Sequence, residues 1–326
     1  MNNTKPVFYM AVGIPGSGKS IWAETHKNEL NAVIHSSDEI RAELGDINDQ
    51  SKNTVVFQML HQRVKDDLRN GKNIIIDCTS LSRKRRIHML KNELYNIDCE
   101  KICILFATPY EICLRNNANR ERKVPEDVIE RMIKNFEVPC LQEGFDDIQI
   151  IWWNRKENGL EYNYYKDLNT WCGISHDNPH HKLSIGEHMI AASNHYTSIC
   201  EYYEDWNTEN KLLSMAILMH DCGKVFCKNY LDSKGNISEI ARYHNHQNIG
   251  SYLSLFYLKE MSENSIMFFN FTDDEILYIS LLINCHMRHL MAYNGSENVK
   301  ERDRQLFGDD FMQDLDILYE CDIIAH

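Results

Sequence analysis

Apolar and polar positions divide this chain into two stretches with different periods. In the first, short continuous apolar runs alternate with helical patterns. Val7-Phe8-Tyr9-Met10-Ala11-Val12 reads as a buried strand, and Ala32-Val33-Ile34-His35 as a shorter one. Asn73-Ile74-Ile75-Ile76-Asp77 and Lys101-Ile102-Cys103-Ile104-Leu105-Phe106 read the same way. Residues 54–70 repeat apolar side chains at helical spacing and stop at Gly71. Further helices are predicted from Pro109 to about Asn117 and from Glu126 to Asn135. Strands alternating with helices predict an α/β domain built on a parallel sheet. From His181 onward the pattern is helical throughout, with no further parallel-strand signal, which predicts an all-α domain. Residues 152–180 mix aromatics, Asn and Gly without a period, and Tyr162, Tyr164 and Tyr165 are expected to pack on a neighbour. The predicted organisation is therefore a domain over 1–155, a connector over 156–179 and a second domain over 180–326. A length of 326 residues suits two domains of ordinary size.

Composition adds a contrast between the halves. Residues 1–156 carry 23 Lys+Arg against 22 Asp+Glu, a balance of +1, whereas residues 157–326 carry 12 against 26, a balance of −14, so the net charge of −13 comes from the second half. An acidic domain is a poor general binder of nucleic acid and a good place for cations. No apolar run approaches the ~20 residues that span a bilayer, so no membrane partner is expected. Eleven cysteines without a C-x-x-C pair suit free thiols in a reducing, cytoplasmic setting.

The first strand runs into Gly13-Ile14-Pro15-Gly16-Ser17-Gly18-Lys19-Ser20 and then into a helix. Strand, glycine-rich turn and helix form the context in which this spacing binds a nucleoside triphosphate. Gly13, Gly16 and Gly18 let the backbone curl around oxygens that a Cβ would block. Ser17 and its neighbours offer N–H groups at the helix start. Lys19 is expected on the β- and γ-phosphates of ATP, and the Ser20 hydroxyl on Mg²⁺. Asp38 and Arg41 follow the second strand, three residues apart on one side of a helix turn. Asp38 is placed to accept a proton from an attacking hydroxyl and Arg41 to hold a phosphate; a helix cap with a solvated ion pair is the plain alternative. Asp77 ends a strand at the ligand edge, beside Thr79 and Ser80, where it can bind Mg²⁺ through water, orient substrate or cap the next helix. The basic stretch Asn119-Arg120-Glu121-Arg122-Lys123-Val124-Pro125 is expected to form a lid bringing Arg120 or Arg122 onto the transferring phosphoryl group.

In the second half, Met215-Ala216-Ile217-Leu218-Met219-His220-Asp221-Cys222-Gly223-Lys224 ends an apolar helix in adjacent His and Asp. His188, His246, His286 and Asp322 lie on other predicted helices. Such N and O ligands suit Zn, Mn, Fe, Co or Ni better than Ca.

Over residues 6–151, the loop Gly13–Ser20, Ser37-Asp38-x-x-Arg41, Asp77-x-Thr79, Arg120-x-Arg122-x-x-Pro125 and Glu143-Gly144-Phe145-Asp146 resemble the 5′-hydroxyl polynucleotide kinases of phage and bacterial RNA repair. The resemblance implies Asp38 as general base, Arg41 on the acceptor's 3′-phosphate and Arg120 on the donor phosphates. That family usually has Asn where this chain has Ser80. Residues 180–326 resemble the HD phosphohydrolase superfamily, with ligands expected at His188, His220, Asp221, His246, His286 and Asp322. His244 and His289 compete for neighbouring roles, and Lys224 is expected on a phosphate oxygen. Six ligands imply two metals about 3.5–4 Å apart activating water against a phosphate ester, whereas His188, His220, Asp221 and Asp322 alone imply one.

Joined, the two resemblances imply an enzyme that heals broken RNA ends, phosphorylating a 5′-OH and removing a 2′,3′-cyclic or terminal 2′/3′-phosphate, for a separate RNA ligase to seal. RNA ends are expected over DNA ends. The first half carries the basic residues, including Arg83, Lys84, Arg85 and Arg86, which is consistent with handling terminal phosphates. A kinase–phosphatase for a small nucleotide or sugar, and a kinase controlled by a nucleotide-sensing HD domain, are the competing readings.

Overall fold

The computed structural model describes residues 5–47, 49–153, 170–179, 181–203, 208–231, 234–263 and 270–325. Most of the expected connector lies outside them, Tyr162, Tyr164 and Tyr165 included. The chain forms two compact units, one of Met1–Met132 with Pro139–Asn154, the other of Ile133–Val138 with Arg155–His326. The short segment Ile133–Val138, inside the expected first domain, thus packs with the second half. There the buried Phe136 ring meets Tyr252 edge-on at 5.1 Å, and Asn248 Nδ2 donates to the Lys134 carbonyl at 2.8 Å.

The first unit is built on a parallel sheet, in the order β2-β3-β1-β4-β5. Its strands are β1 (Val7–Val12), β2 (Ala32–Ser36), β3 (Asn73–Asp77), β4 (Glu100–Ala107) and β5 (Asp147–Trp152). Continuous apolar runs mark strands covered on both faces, and Ile74, Ile75, Cys103, Ile104 and Leu105 are buried accordingly. Around the sheet run α1 (Lys19–His26), α2 (Ser37–Glu43), α3 (Asn53–Arg69), α4 (Arg83–Ile87), α5 (Tyr110–Ala118) and α6 (Glu126–Ile133). Strand β5 is not among the expected apolar runs, because it lies at the sheet's edge and the polar, exposed Asp147 and Gln149 interrupt its apolar residues. The central strand β1 has β3 on one side and β4 on the other. Its C-terminal end is therefore the switch point at which open α/β sheets bind ligands.

The second unit is helical, with principal helices Ile185–Tyr203, Thr208–Met219, His246–Glu263, Asp273–Cys285, Glu297–Phe307 and Asp309–Ile324. Ile249, Leu255, Ile279, Leu282 and Leu315 form part of its buried core. Helix Asp273–Cys285 starts at a reciprocal cap between Thr272 and Glu275. One feature departs from the all-α expectation. Asn229–Leu231 and Ile237–Arg242 pair as an antiparallel hairpin. Leu231, Ile237 and Ile240 are exposed, so no buried alternation announces these strands. Among the described residues no helix is long and apolar enough to cross a membrane.

Candidate functional sites

The loop after β1 is tied down from several directions. The Gly13 N–H donates to the Thr79 carbonyl beyond β3 at 3.1 Å. From beyond β4, the Thr108 hydroxyl donates to the Ser17 carbonyl and Asn116 Nδ2 to the Gly16 carbonyl, both at 2.9 Å. Gly16 has φ +83°, and a Cβ there would stand 2.2 Å from the Cys113 carbonyl oxygen, so no other residue fits. Gly18, at φ +101°, is the residue from which α1 starts, and no side chain caps that helix. Its first N–H groups are left for an anion. Lys19 is buried and folds over the loop, its Nζ 2.9 Å from the Ile14 carbonyl and 3.3 Å from Ser17 Oγ. Burial lowers the Lys19 pKa, with the Asp77 carboxylate pulling the other way.

A cavity of about 260 Å³ opens beside this loop, and Ser20, Asp38, Asp77, Arg120 and Arg122 line it. Residues expected from four separate stretches of sequence thus share one space. Asp38 sits in the first turn of α2, which the Ser36 hydroxyl caps by accepting from the Asp38 N–H. Arg41 Nη1 donates to Asp38 Oδ1 at 2.6 Å and Nη2 to Asn53 Oδ1 at 2.9 Å. Arg41 is buried, so it stands as Asp38's partner. Arg122, one of the two lid candidates, reaches across to Asp38 Oδ2 at 2.5 Å, whereas Arg120 lines the cavity from an exposed position. Asn117 clamps the foot of that lid segment, donating to the Val124 carbonyl and accepting from its N–H.

The basic run 83–86 is only half available. Arg83 and Arg86 are buried on one side of α4, while Lys84 and Arg85 are exposed. Arg86 grips the buried Glu143 through Nε at 2.6 Å and Nη2 at 2.7 Å, and Arg83 Nε stands 3.4 Å from the same carboxylate. Arg86 Nη1 also donates to the Ser80 and Leu81 carbonyls, holding the turn where Ser80 has φ +47°. Arg83 and Arg86 are therefore turned inward onto Glu143.

In the second unit the six expected ligands come to one place from five segments, His220 and Asp221 together from the turn after Thr208–Met219. His188, His220, Asp221 and Asp322 form one group, and Asp221, His246 and His286 another, each with ligating atoms within 4.8 Å of one another. Asp221 belongs to both. Its Oδ2 lies 3.4 Å from His188 Nε2 and 3.5 Å from His220 Nε2, and its Oδ1 lies 3.2 Å from His246 Nε2 and 3.7 Å from His286 Nε2. Asp322 Oδ1 stands 3.0 Å from His188 Nε2 and 3.4 Å from His220 Nε2. Gly223 makes this possible: a Cβ there would stand 2.1 Å from the His246 carbonyl oxygen, so only glycine lets the segments carrying Asp221 and His246 meet.

The tautomers favour metal binding. Each of the four histidines presents Nδ1 to a backbone carbonyl, those of Ala325, Ile217, Tyr243 and Ile283 respectively for His188, His220, His246 and His286. Nδ1 must carry the proton to make that bond, which leaves the Nε2 lone pair for a cation. Yet Nε2 faces Nε2 at 3.2 Å between His188 and His220, and at 3.0 Å between His246 and His286. Paired lone pairs repel unless a proton or an ion joins them. The buried Asp221 Oδ2 has no well-formed hydrogen bond, although Lys224 Nζ approaches it to 2.5 Å as an ion pair. This donor set fits one or two borderline divalent ions.

Local charge draws a cation to the site, and in the ion's absence a proton takes its place on His220. Burial opposes a charge on His220, but Asp221 and Asp322 overcome it and push its pKa up to about 10. Burial, then His246 and His220, push His286 down to about 3. Lys224 and His220 hold the Asp221 carboxyl well below the usual range against the cost of burial.

His289 lies outside both groups, 2.7 Å from Asp316 and stacked on Tyr319, and His244 is exposed. His176 joins the site without having been expected. It is buried, with Nδ1 2.8 Å from the Leu183 carbonyl and Nε2 3.4 Å from Lys224 Nζ. Its only signal is an imidazole shortly before His188. Asn53 went unnoticed for the same reason, since nothing in a lone Asn at a helix start announces Arg41 as its partner.

A family model described as an AAA domain matches residues 8–139. Over 139 residues the chain is 24% identical to an L-seryl-tRNA(Sec) kinase of Methanococcus maripaludis, covering 41% of this chain and 54% of that protein. It is 26% identical over 155 residues to the transcription factor bHLH140 of Arabidopsis thaliana, covering 45% of this chain and 16% of that one. The chain thus spans about half the length of the first relative and far less of the second. Among solved structures, a chain of the Pnkp1/Rnl/Hen1 RNA repair complex is similar at 24% identity, with a TM-score of 0.36 over 41% of this chain and 45% of that one. The first unit is a P-loop kinase-like domain.

Proposed function

We propose that this chain is a bifunctional end-healing enzyme: a 5′-hydroxyl kinase in its first unit and a metal-dependent phosphohydrolase of HD type in its second. The observation that carries the reading is Asp221, whose two oxygens divide between two histidine groups in the same chain that bears a Lys19 phosphate cradle.

In the kinase half, the loop N–H groups and Lys19 bind the triphosphate of ATP, with Ser20 toward its Mg²⁺. Asp38 accepts the proton of the attacking 5′-hydroxyl. Both of its oxygens are engaged by Arg41 and Arg122, so Arg122 must first leave Oδ2. An arriving triphosphate supplies the competing anion, and the arginine that uncovers the base then lies on the phosphoryl group. Arg41 stays behind to orient Asp38.

In the second half, His188, His220, Asp221 and Asp322 would hold one ion and Asp221, His246 and His286 another. Such ions polarise a phosphate ester and make water nucleophilic at neutral pH. Lys224 holds a non-bridging phosphate oxygen, trading its contact with Asp221 Oδ2 for the substrate, and His176 fixes the lysine from behind. The products are ends that a separate RNA ligase can join, which makes a ligase the implied partner.

The test is a 5′-OH RNA oligonucleotide ending in a 2′,3′-cyclic phosphate, incubated with ATP, Mg²⁺ and Mn²⁺ or Zn²⁺, with both ends then analysed. A 5′-phosphate and a lost cyclic phosphate are expected; two unchanged ends reject the proposal. The small size of the cavity and its acidic Glu24 and Glu39 favour one other reading, a small hydroxylic acceptor. Equal rates on a mononucleoside and an oligonucleotide would select it.

A further inference from the structure

We propose that the first unit carries a separate site for a divalent transition-metal ion, formed by His61, His88 and Glu93. Their ligating atoms all lie within 4.8 Å of one another. His61 stands on α3, while His88 and Glu93 open and close a single π-helical turn. That turn makes the pair. Residues five apart on an α-helix point ~140° away from each other, whereas the wider π turn closes its hydrogen bonds at that spacing and stacks them.

The carboxylate is already divided as a ligand should be. Lys65 Nζ holds Glu93 Oε2 at 2.7 Å. Oε1 faces both imidazoles, 3.2 Å from His61 Nδ1 and 3.9 Å from His88 Nδ1. Donors bound to a zinc-class ion at ~2.0–2.2 Å stand about 3–3.5 Å apart. The trio therefore closes on an ion by small side-chain movements, and His88, whose side chain is 54% exposed, is free to make them. Two nitrogens and one carboxylate suit zinc, nickel or cobalt and leave a fourth position for water.

An ion here would tie α3 to the turn that follows α4. Helix α3 begins at Asn53, the residue that holds Arg41 against Asp38, and His61 lies roughly two turns further along it, so the tie steadies the middle of a positioning element. The site is independent of the proposed hydrolase cluster and of its reading.

The experiment is calorimetric titration of chelator-stripped, full-length protein with Zn²⁺, comparing the unaltered chain with His88→Ala and Glu93→Gln. The hydrolase cluster contributes equally to all three isotherms. Beyond the hydrolase cluster's share, the unaltered chain should show one further binding event that both variants weaken tenfold or more, and Zn²⁺ should raise its unfolding midpoint further than theirs. Superimposable isotherms overturn the proposal. Loss in Glu93→Gln alone overturns it too, because His88 would then contribute nothing; His88 is exposed enough that its variant folds.

Discussion

The buried triad of Arg83, Arg86 and Glu143 offers a sharp quantitative test. Glu143→Ala removes a fully buried carboxylate that accepts two charge-assisted bonds from Arg86 and faces Arg83. Arg86 keeps its bonds to the Ser80 and Leu81 carbonyls, but its Nε and Nη2 lose their anion in a place water does not reach. Breaking one side of a buried ion pair costs about 3–5 kcal/mol, because the remaining charge stays desolvated. For a unit of this size, each kcal/mol lowers the midpoint by roughly 2–4 °C, so the first unit's transition should fall by about 6–20 °C. Activity should follow, since the turn that Arg86 holds contains Thr79, the acceptor for the Gly13 N–H of the phosphate loop. Scanning calorimetry reads the shift. Thermal inactivation of the kinase and hydrolase activities, followed in parallel, shows whether the second unit is spared. A midpoint change under 2 °C would refute the reasoning, for the pair would then be far less dehydrated than its geometry implies.

Four further outcomes are expected. Lys19→Ala should abolish phosphorylation and spare phosphate removal, and Asp221→Ala should do the reverse, each by at least ~10²-fold; assays of both activities on both variants check this. Gly16→Ala should lose nucleotide binding, measured by titration with ATP, because its Cβ would collide with the Cys113 carbonyl at 2.2 Å at a φ of +83°. Gly223→Ala should lose bound metal, counted by elemental analysis, while ATP binding persists, because its Cβ would drive the His246 backbone away from Asp221. Metal affinity in the second unit should rise with pH between 6 and 9. His220 holds a proton up to about pH 10 beside Asp221 and Asp322, so an ion must displace it; proton release should appear in calorimetry as a dependence on the buffer's ionisation enthalpy.

What could be read from the chain divides by the range of the interaction involved. The phosphate loop is legible because its requirements are local. Gly16 and Gly18 answer to their own φ angles and to a helix that starts at the next residue. The inner strands β1, β3 and β4 are legible for a similar reason, since burial on both faces writes itself as an unbroken apolar run. Partnerships across the sequence leave no such mark. Arg122 meets Asp38 across 84 residues and Arg86 meets Glu143 across 57, so a basic run reads as surface charge until the fold shows two of its members turned inward. The hairpin at 229–242 escapes because its apolar residues face outward, and His61 with His88 and Glu93 escapes because a π turn is invisible to a period of 3.6. The six residues of the second site lie between these cases. Their chemistry is legible one by one, but the division of Asp221 between two groups depends on how closely Gly223 lets the backbone at His246 approach. Gly223, from which the short helix Lys224–Cys227 starts, therefore does more than open that helix. It sets the distance at which one carboxylate faces two sets of imidazoles, the arrangement on which the proposed metal site depends.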